Sequence, residues 1–417
     1  MKKVVAVILL LSILPVLKGQ MQQAVDRIQS EYHLMGLSVT TICKDRVTGS
    51  YNSGMRDMSH HLPVNDSTMY RIASISKLVT TTALMKLYDE GLFRLDDDVS
   101  KYLGFPLRNP NFPDEPVTFR MLLSHTSSLN DGTGYDSFLT DTYNNVGNPP
   151  EFSQLVIPGG SYYTDDMWMK EKPGTYFIYC NANFGLTGTL IEKISGKSFD
   201  VFVRENIFRP LGITGAFTVE GLSSVRNLSV LYRTENDVWV PQADDFNGAL
   251  TSPRNFNGYK PGTNAAVFSP QGGLRISPLE LSRIMMLHIN RGRYHGEQII
   301  SARSIRLMHK PQWKYNGSNG ENNGGLLMCW GLGVQIITNT PSGDMIFKDL
   351  PLKGHSGSAY GLISGFYFDP RSRSGFIFMT NGVYGELKKG TYSSYFDFEE
   401  AIFSAVWKNS YPPCLED

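Results

Sequence analysis

Strand patterns near both ends of this 417-residue chain and helix patterns between them leave few folds open. Leu37 to Cys43 and Gly49 to Gly54 read as strands joined by a turn. Trp330 to Ile337, Gly361 to Phe368 and Gly375 to Asn381 read as strands near the other end, and Tyr395 to Lys408 as a closing helix. Strands so far apart find partners in one sheet built from both termini, which makes the intervening segment an insertion beside it. The expected fold is α/β of the α+β type, with a sheet lobe over about 20–75 plus 270–417 and a mostly helical lobe over about 76–269.

Several helices are predicted. Met21 to Leu34 is one, and another opens near Ser74, where Leu78, Val79, Leu84, Met85, Leu87 and Tyr88 precede a terminating Gly91. Asn181 to Ile194 and Phe199 to Phe208 follow. Ser277-Pro-Leu-Glu280 is a capping box with proline at the first helical position, opening a helix that ends near Gly292. Residues 130–173 lack helical periodicity and are expected as a long loop. Their aromatics, among them Tyr135, Phe138, Tyr143, Phe152 and Trp168, are expected to form an ordered wall around a cleft.

With 41% hydrophobic residues the chain can bury a large core. Its 39 basic and 39 acidic residues form no long block of one sign, so nucleic acid is not an expected partner. Met1-Lys-Lys3, an apolar run from Val4 to Leu17 and Lys18-Gly19-Gln20 predict a secretory signal peptide over residues 1–19 and a single domain over 20–417. The run falls short of the roughly 20 apolar residues of a spanning helix. A secreted or periplasmic protein without stable membrane insertion is therefore expected. Cys43, Cys180, Cys329 and Cys414 are too scattered for a disulfide scaffold or a Cys-x-x-Cys site. One or two disulfides fit an oxidising compartment, and buried free thiols at Cys43 and Cys329 are an equal reading. The eight histidines show no ligand spacing, so neither a metal nor another cofactor is expected.

Ser74 and Lys77, in Tyr70-Arg-Ile-Ala-Ser-Ile-Ser-Lys77, form the only Ser-x-x-Lys of the chain. Three residues apart on a helix they share one face, and the positive end of the helix points at Ser74. A serine hydroxyl is a poor nucleophile, and a lysine accepts its proton only when desolvation or nearby positive charge lowers the amine's pKa. Two further segments suit this chemistry. Tyr179 and Asn181 lie two apart at a loop-to-helix junction, and Lys353-Gly-His-Ser-Gly-Ser-Ala-Tyr-Gly361 is a glycine-rich strand carrying His355, Ser356 and Ser358. A short side chain at Ser358 beside Gly357 lets a substrate lie against the strand, whose main-chain NH groups can face a developing oxyanion. Taken singly, Tyr179 is equally a core tyrosine, Asn181 an N-cap and His355 a loop histidine. The chain contains no Gly-x-Ser-x-Gly elbow, which excludes the α/β-hydrolase class.

Together and in this order, the three segments resemble the serine beta-lactamase and penicillin-binding protein superfamily, specifically the class C beta-lactamase branch with its D-aminopeptidase and esterase relatives. The resemblance covers nearly the whole chain after residue 19. It includes Tyr70 to Leu103, Leu122-Leu-Ser-His-Thr-Ser-Ser-Leu129, Ile207-Phe-Arg-Pro-Leu-Gly212, Ser269-Pro-Gln-Gly-Gly273 and Trp330-Gly-Leu-Gly333. It implies a beta-lactamase/transpeptidase-like fold around a central antiparallel sheet, and a cofactor-free serine hydrolase with Ser74 as acylated nucleophile. Lys77 would be its proton acceptor or electrostatic activator, and Tyr179 a general base or acid, the identity of the base being open. Asn181 would bind the acyl side chain or orient Lys77. His355, Gly357 and Ser358 would bind substrate, the NH groups of Ser74 and Ser358 forming the oxyanion hole.

One departure bears on the substrate. His355-Ser-Gly357 stands where true class C lactamases carry Lys-Thr-Gly, so a permanent charge gives way to a group of ordinary pKa about 6.5. Weak or absent antibiotic hydrolysis follows, with a preference for small amides, esters or D-amino-acid peptides. The alternatives are beta-lactamase or D,D-carboxypeptidase activity and, from another class, a non-catalytic scaffold that binds peptides or peptidoglycan fragments or assembles with itself. Cys180 is expected to be a buried inert thiol and His125 a turn brace.

Overall fold

The computed structural model describes residues 18–410; residues 1–17 of the expected signal peptide, and Cys414, lie outside the described residues. Among the described residues, nine strands form one antiparallel sheet. In spatial order they are Trp313–Lys314, Cys329–Trp330, Gln335–Ile336, Lys353–Ala359, Leu362–Asp369, Ser374–Thr380, Gly36–Cys43, Arg46–Asp57 and Leu62–Pro63. Gly36–Cys43, the first of these in the sequence, pairs with Ser374–Thr380, the last, from Leu37 opposite Thr380 to Cys43 opposite Ser374. This is the union of the two chain ends that the strand distribution predicts.

Side chains alternate between the two faces of a strand, and both faces here are covered. Leu37, Val39, Phe376 and Phe378 pack against the helix over 18–31 and the closing helix Asp397–Ser410, which supply Met21, Val25, Ile402 and Phe403. Ile42, Phe366, Ile377 and Met379 face the opposite layer. There the helix Pro278–Ile289 lies on the sheet, and Ser76–Asp89 and Ala182–Ser195 form the centre of the helical lobe. Two-sided cover explains why Leu362–Asp369 and Ser374–Thr380 are buried along their full length. Each large apolar side chain so buried contributes about 1.5–3 kcal/mol. No helix among the described residues is long and apolar enough to cross a membrane.

Several expectations change. Residues 130–173 are not one loop, because they hold helices Tyr135–Asn144 and Ser153–Val156 and a 3-10 turn Asp165–Met167. The first of these helices buries only Tyr135, Phe138 and Thr142, too few to give a clear period. Tyr135, Phe138, Phe152 and Trp168 fill the core of the helical lobe, with Phe138 edge-on to Phe152 at 5.3 Å; these four are not a cleft wall, whereas Tyr143 does line a cavity, with Arg71 and Tyr360. The run Trp330 to Ile337 is two short strands separated by a turn at Gly333 (φ +62°), where a β-carbon would fall 2.0 Å from Thr81 Oγ1. The capping box at Ser277 is half formed. Ser277 Oγ accepts from Glu280 N at 3.2 Å, but the Glu280 carboxylate turns away to accept from Thr214 N at 2.7 Å. Cys43 is disulfide-bonded, whereas Cys180 and Cys329 are buried free thiols.

Glu399 of the closing helix is buried. Desolvation pushes its carboxyl up to about 8, the Glu400 charge adding to this and the Phe396 NH opposing it. Its folded-state pKa is therefore raised above the 4.5 of a free glutamate, so its contribution to stability is full below pH 4.5 and is lost as pH rises through 8. Glu399→Gln keeps an acceptor for Phe396 N and is expected to raise Tm by several degrees at pH 8.5 with little change at pH 5, measured by calorimetry.

Candidate active site

The short strand Tyr70–Arg71 leads into a 3-10 turn, Ala73–Ile75, and then into the helix Ser76–Asp89. Ala73 has φ +49°, a left-handed conformation that costs a residue bearing a β-carbon roughly 1–2 kcal/mol. This bend sets Ser74 at the head of the helix. A β-carbon at Gly357 would lie 2.5 Å from Ile72 O and 3.4 Å from Ala73 Cβ, so only glycine lets the serine's turn approach the strand. The sequence assigns Gly357 to substrate binding, and this packing gives a second reason for glycine there. Its bare face looks inward at the turn, while Ser356 and Ser358 line the cleft.

Lys77 is fully buried. Its Nζ donates to Ser74 Oγ at 3.0 Å, Asn181 Oδ1 at 2.8 Å and the Gln271 carbonyl at 2.8 Å, one acceptor for each proton of an ammonium. Desolvation nevertheless pushes its pKa down to about 7, against the opposing pull of Asp131 and Cys180. At about 1.4 kcal/mol per tenfold change in protonation, burial biases the amine against its charge by roughly 5 kcal/mol. A large fraction is neutral at pH 7 and can accept the proton of Ser74.

Asn181 precedes the helix Ala182–Ser195 but does not cap it with its side chain. Asp131 does so instead, accepting from Ala182 N at 2.8 Å with one oxygen and from Asn181 Nδ2 at 2.8 Å with the other. The amide is thus fixed with its oxygen toward Lys77. Asp131 escapes sequence reasoning, since Asn130-Asp131-Gly132 reads as an ordinary turn; the structure adds it as the residue that orients Asn181. Cys180, the expected inert thiol, also donates to Asp131 at 3.3 Å, and burial pushes its pKa well up.

Tyr179 lines the same cleft as Ser74, with Lys77 Nζ 4.9 Å from its ring centroid. Burial pushes its phenol well above the usual value, so it is protonated at neutral pH and can donate a proton. His125, expected as a turn brace, packs against it. The two rings stack at 4.4 Å, and His125 Nδ1 accepts from Cys180 N at 3.1 Å. His355 is buried beneath Trp330, whose ring meets it edge-on at 5.2 Å. Its Nδ1 donates to the Ser356 carbonyl at 2.6 Å. Desolvation, then the Lys77 charge, push its pKa down to about 3, well beyond the reduction in charge that the sequence implies.

Ser74, Tyr179, His355 and Ser358 line one cleft of about 410 Å³, walled by Leu326, Leu327 and Trp330. Lys77 and Asn181 lie behind it. Residues 321–327 form the wall assigned from sequence to the aromatics of 130–173, and Glu321 at its edge is the carboxylate of the lining. Among the described residues no group of three or more His, Cys, Asp or Glu side chains is arranged to hold a metal.

An antiparallel sheet between helical layers, with a serine, a buried amine and a phenol drawn together at one cleft, defines a fold and site of beta-lactamase type. The family model described as Beta-lactamase matches residues 21–394, and the chain belongs to that family. Protein flp of Staphylococcus aureus (strain N315) is 26% identical over 235 residues, 55% of this chain and 45% of that protein, so the chain spans less than half the length of this curated relative. The octameric penicillin-binding protein homologue from Pyrococcus abyssi is similar at 26% identity and TM-score 0.67, covering 94% of this chain and 77% of that one. The D-amino acid amidase from Ochrobactrum anthropi SV3 shares the fold, with 19% identity, TM-score 0.67 and coverage of 95% and 99%.

Because the Asp131 charge holds the Lys77 pKa up, its removal lowers it further. Asp131→Asn is expected to move the acid limb of Ser74 labelling by a fluorophosphonate, read by intact mass, to lower pH. The maximal rate should fall about tenfold as Asn181 loses its anchor.

Proposed function

We propose that this chain is an exported serine hydrolase that forms an acyl-enzyme on Ser74 with a small amide, ester or D-amino-acid peptide. The observation that carries this reading is a desolvated Lys77 amine, of pKa about 7, 3.0 Å from Ser74 Oγ at the edge of an open cleft. In the proposed reaction the neutral amine takes the Ser74 proton as Oγ bonds to the substrate carbonyl carbon. The NH groups of Ser74 and Ser358 face the oxyanion; one such donor is worth about 2.7–4 kcal/mol. Tyr179 gives its phenolic proton to the departing amine or alcohol and is reprotonated from Lys77. Water then attacks the acyl-enzyme, its proton passing through the same relay to Ser74 Oγ as the ester bond breaks and the acid is released.

Lys77 is favoured over Tyr179 as the resting base because burial lowers the first pKa toward neutrality and raises the second away from it. Four interlocked groups, Ser74, Lys77, Tyr179 and Asn181, argue against a retired scaffold, which has no need of a desolvated amine. The neutral His355 argues against beta-lactamase or D,D-carboxypeptidase activity, since it offers no charge to a carboxylate beside the scissile bond. The D-amino acid amidase likeness is one of fold and is consistent with a small amide substrate. A basic and apolar N-terminus together with disulfide-bonded Cys43 supports export to an oxidising compartment.

Intact-mass measurement with activated esters, D-alanyl peptides and penicillins, comparing the protein with Ser74→Ala, is expected to give an adduct that requires Ser74. Labelling that survives Ser74→Ala would place the nucleophile elsewhere. His355→Lys restores a cation at the strand and is expected to accelerate acylation by penicillins about tenfold or more, measured as the second-order rate of adduct formation.

A further inference from the structure

A second cavity, of about 260 Å³, is built from chain that flanks the first. Arg71 precedes Ser74 by three residues, Tyr360 follows Ser358 by two, and Ser269 precedes Gln271, whose carbonyl holds Lys77. Phe217, Phe246 and Leu250 make part of the wall apolar. Three arginines also line it, and two are paired. Arg275 grips Asp244 at 3.1 and 2.7 Å, and Arg254 grips Glu220 at 3.0 and 2.9 Å.

Arg71 has no such partner. Its Nε donates to the Gly272 carbonyl at 3.3 Å and its guanidinium lies 4.5 Å from the Tyr360 ring centroid. Its two terminal nitrogens meet no carboxylate among the described residues. Three positive groups against two negative ones leave the cavity one net positive charge. A half-buried cation left unpaired is costly, and planar terminal NH groups are shaped for a carboxylate. Gln271 Oε1 is buried without a partner, while its Nε2 donates at 3.3 Å to the OH of Tyr143, a residue of the lining.

We propose that this cavity is the acyl-side subsite and takes an apolar acyl group ending in a carboxylate, held by the terminal NH groups of Arg71. The sidedness rests on the hydrolase reading. Tyr179, which protonates the leaving group, lines the first cleft beside Trp330, so the leaving group goes there and the acyl part extends toward Arg71. A monoanion matches the single excess charge, whereas a phosphate dianion leaves a negative charge over.

The test compares p-nitrophenyl hydrogen adipate with p-nitrophenyl methyl adipate, which differ only in masking the distal carboxylate. Roughly tenfold or higher kcat/KM for the acid is expected. Arg71→Gln is expected to bring the ratio near one, and Arg71→Lys to retain part of it. Ser252→Asp, which adds a negative charge at an exposed position of the lining and leaves Arg71's own bonds intact, is expected to act like Arg71→Gln. A ratio near one in the unaltered protein, or a preference that survives both Arg71→Gln and Ser252→Asp, overturns the subsite. Calorimetry with monomethyl adipate on the Ser74→Ala protein needs no turnover. Binding roughly tenfold weaker once Arg71→Gln is added is expected, and equal binding overturns the subsite even if neither ester is hydrolysed. Arg71-dependent binding without Ser74-dependent hydrolysis would overturn the hydrolase reading and leave the carboxylate site standing.

Discussion

Desolvation of one amine is the constraint on which the rest of the site depends. An ammonium on the surface would be useless as a proton acceptor at neutral pH, and a wholly apolar burial would leave Lys77 without orientation. The structure meets both demands by surrounding Nζ with three neutral oxygens and keeping the nearest carboxylate, Asp131, one residue removed behind Asn181. A carboxylate in direct contact would have held the proton on the lysine. The interposed amide transmits position while weakening the field.

The same economy recurs around the neighbouring groups. Aromatic rings of His125 and Trp330 fix Tyr179 without accepting its proton, and His355 is held neutral by its own burial. The cleft is therefore a place where protons move between nearly isoenergetic neutral forms, with few fixed charges to reorganise. Fixed charge is displaced to the periphery, with Glu321 at one cavity and Arg71 at the other.

Much of this was legible from residues alone, and the parts that were not share a cause. Period-2 and helical patterns placed the sheet at both chain ends, and the Ser74, Tyr179 and His355 segments converge as their order implies. Patterns fail where a residue's role is defined by a partner distant in sequence. Asp131 looks like a turn aspartate until Asn181 and Ala182 are brought to it, and the need for glycine at Gly357 to clear Ile72 is hidden until the two segments meet. Tyr135, Phe138, Phe152 and Trp168 were misplaced, and Tyr143 was not, because ring content does not say whether rings face a lobe's interior or its mouth. The depth of His355 burial was equally hidden, since it depends on Trp330 and Tyr179 closing over the ring.

The pairing of Gly36–Cys43 with Ser374–Thr380 has a consequence for how the molecule is born. As the chain emerges from the ribosome, its first long strand has only its hairpin neighbour and must wait, one edge bare, for Ser374–Thr380, a partner far along the sequence. Such long-range closure is slow and leaves an edge open to wrong pairing. The turn bearing Ser74 waits for its strand in the same way, so the nucleophile acquires its neighbours only after Lys353–Ala359 has been made.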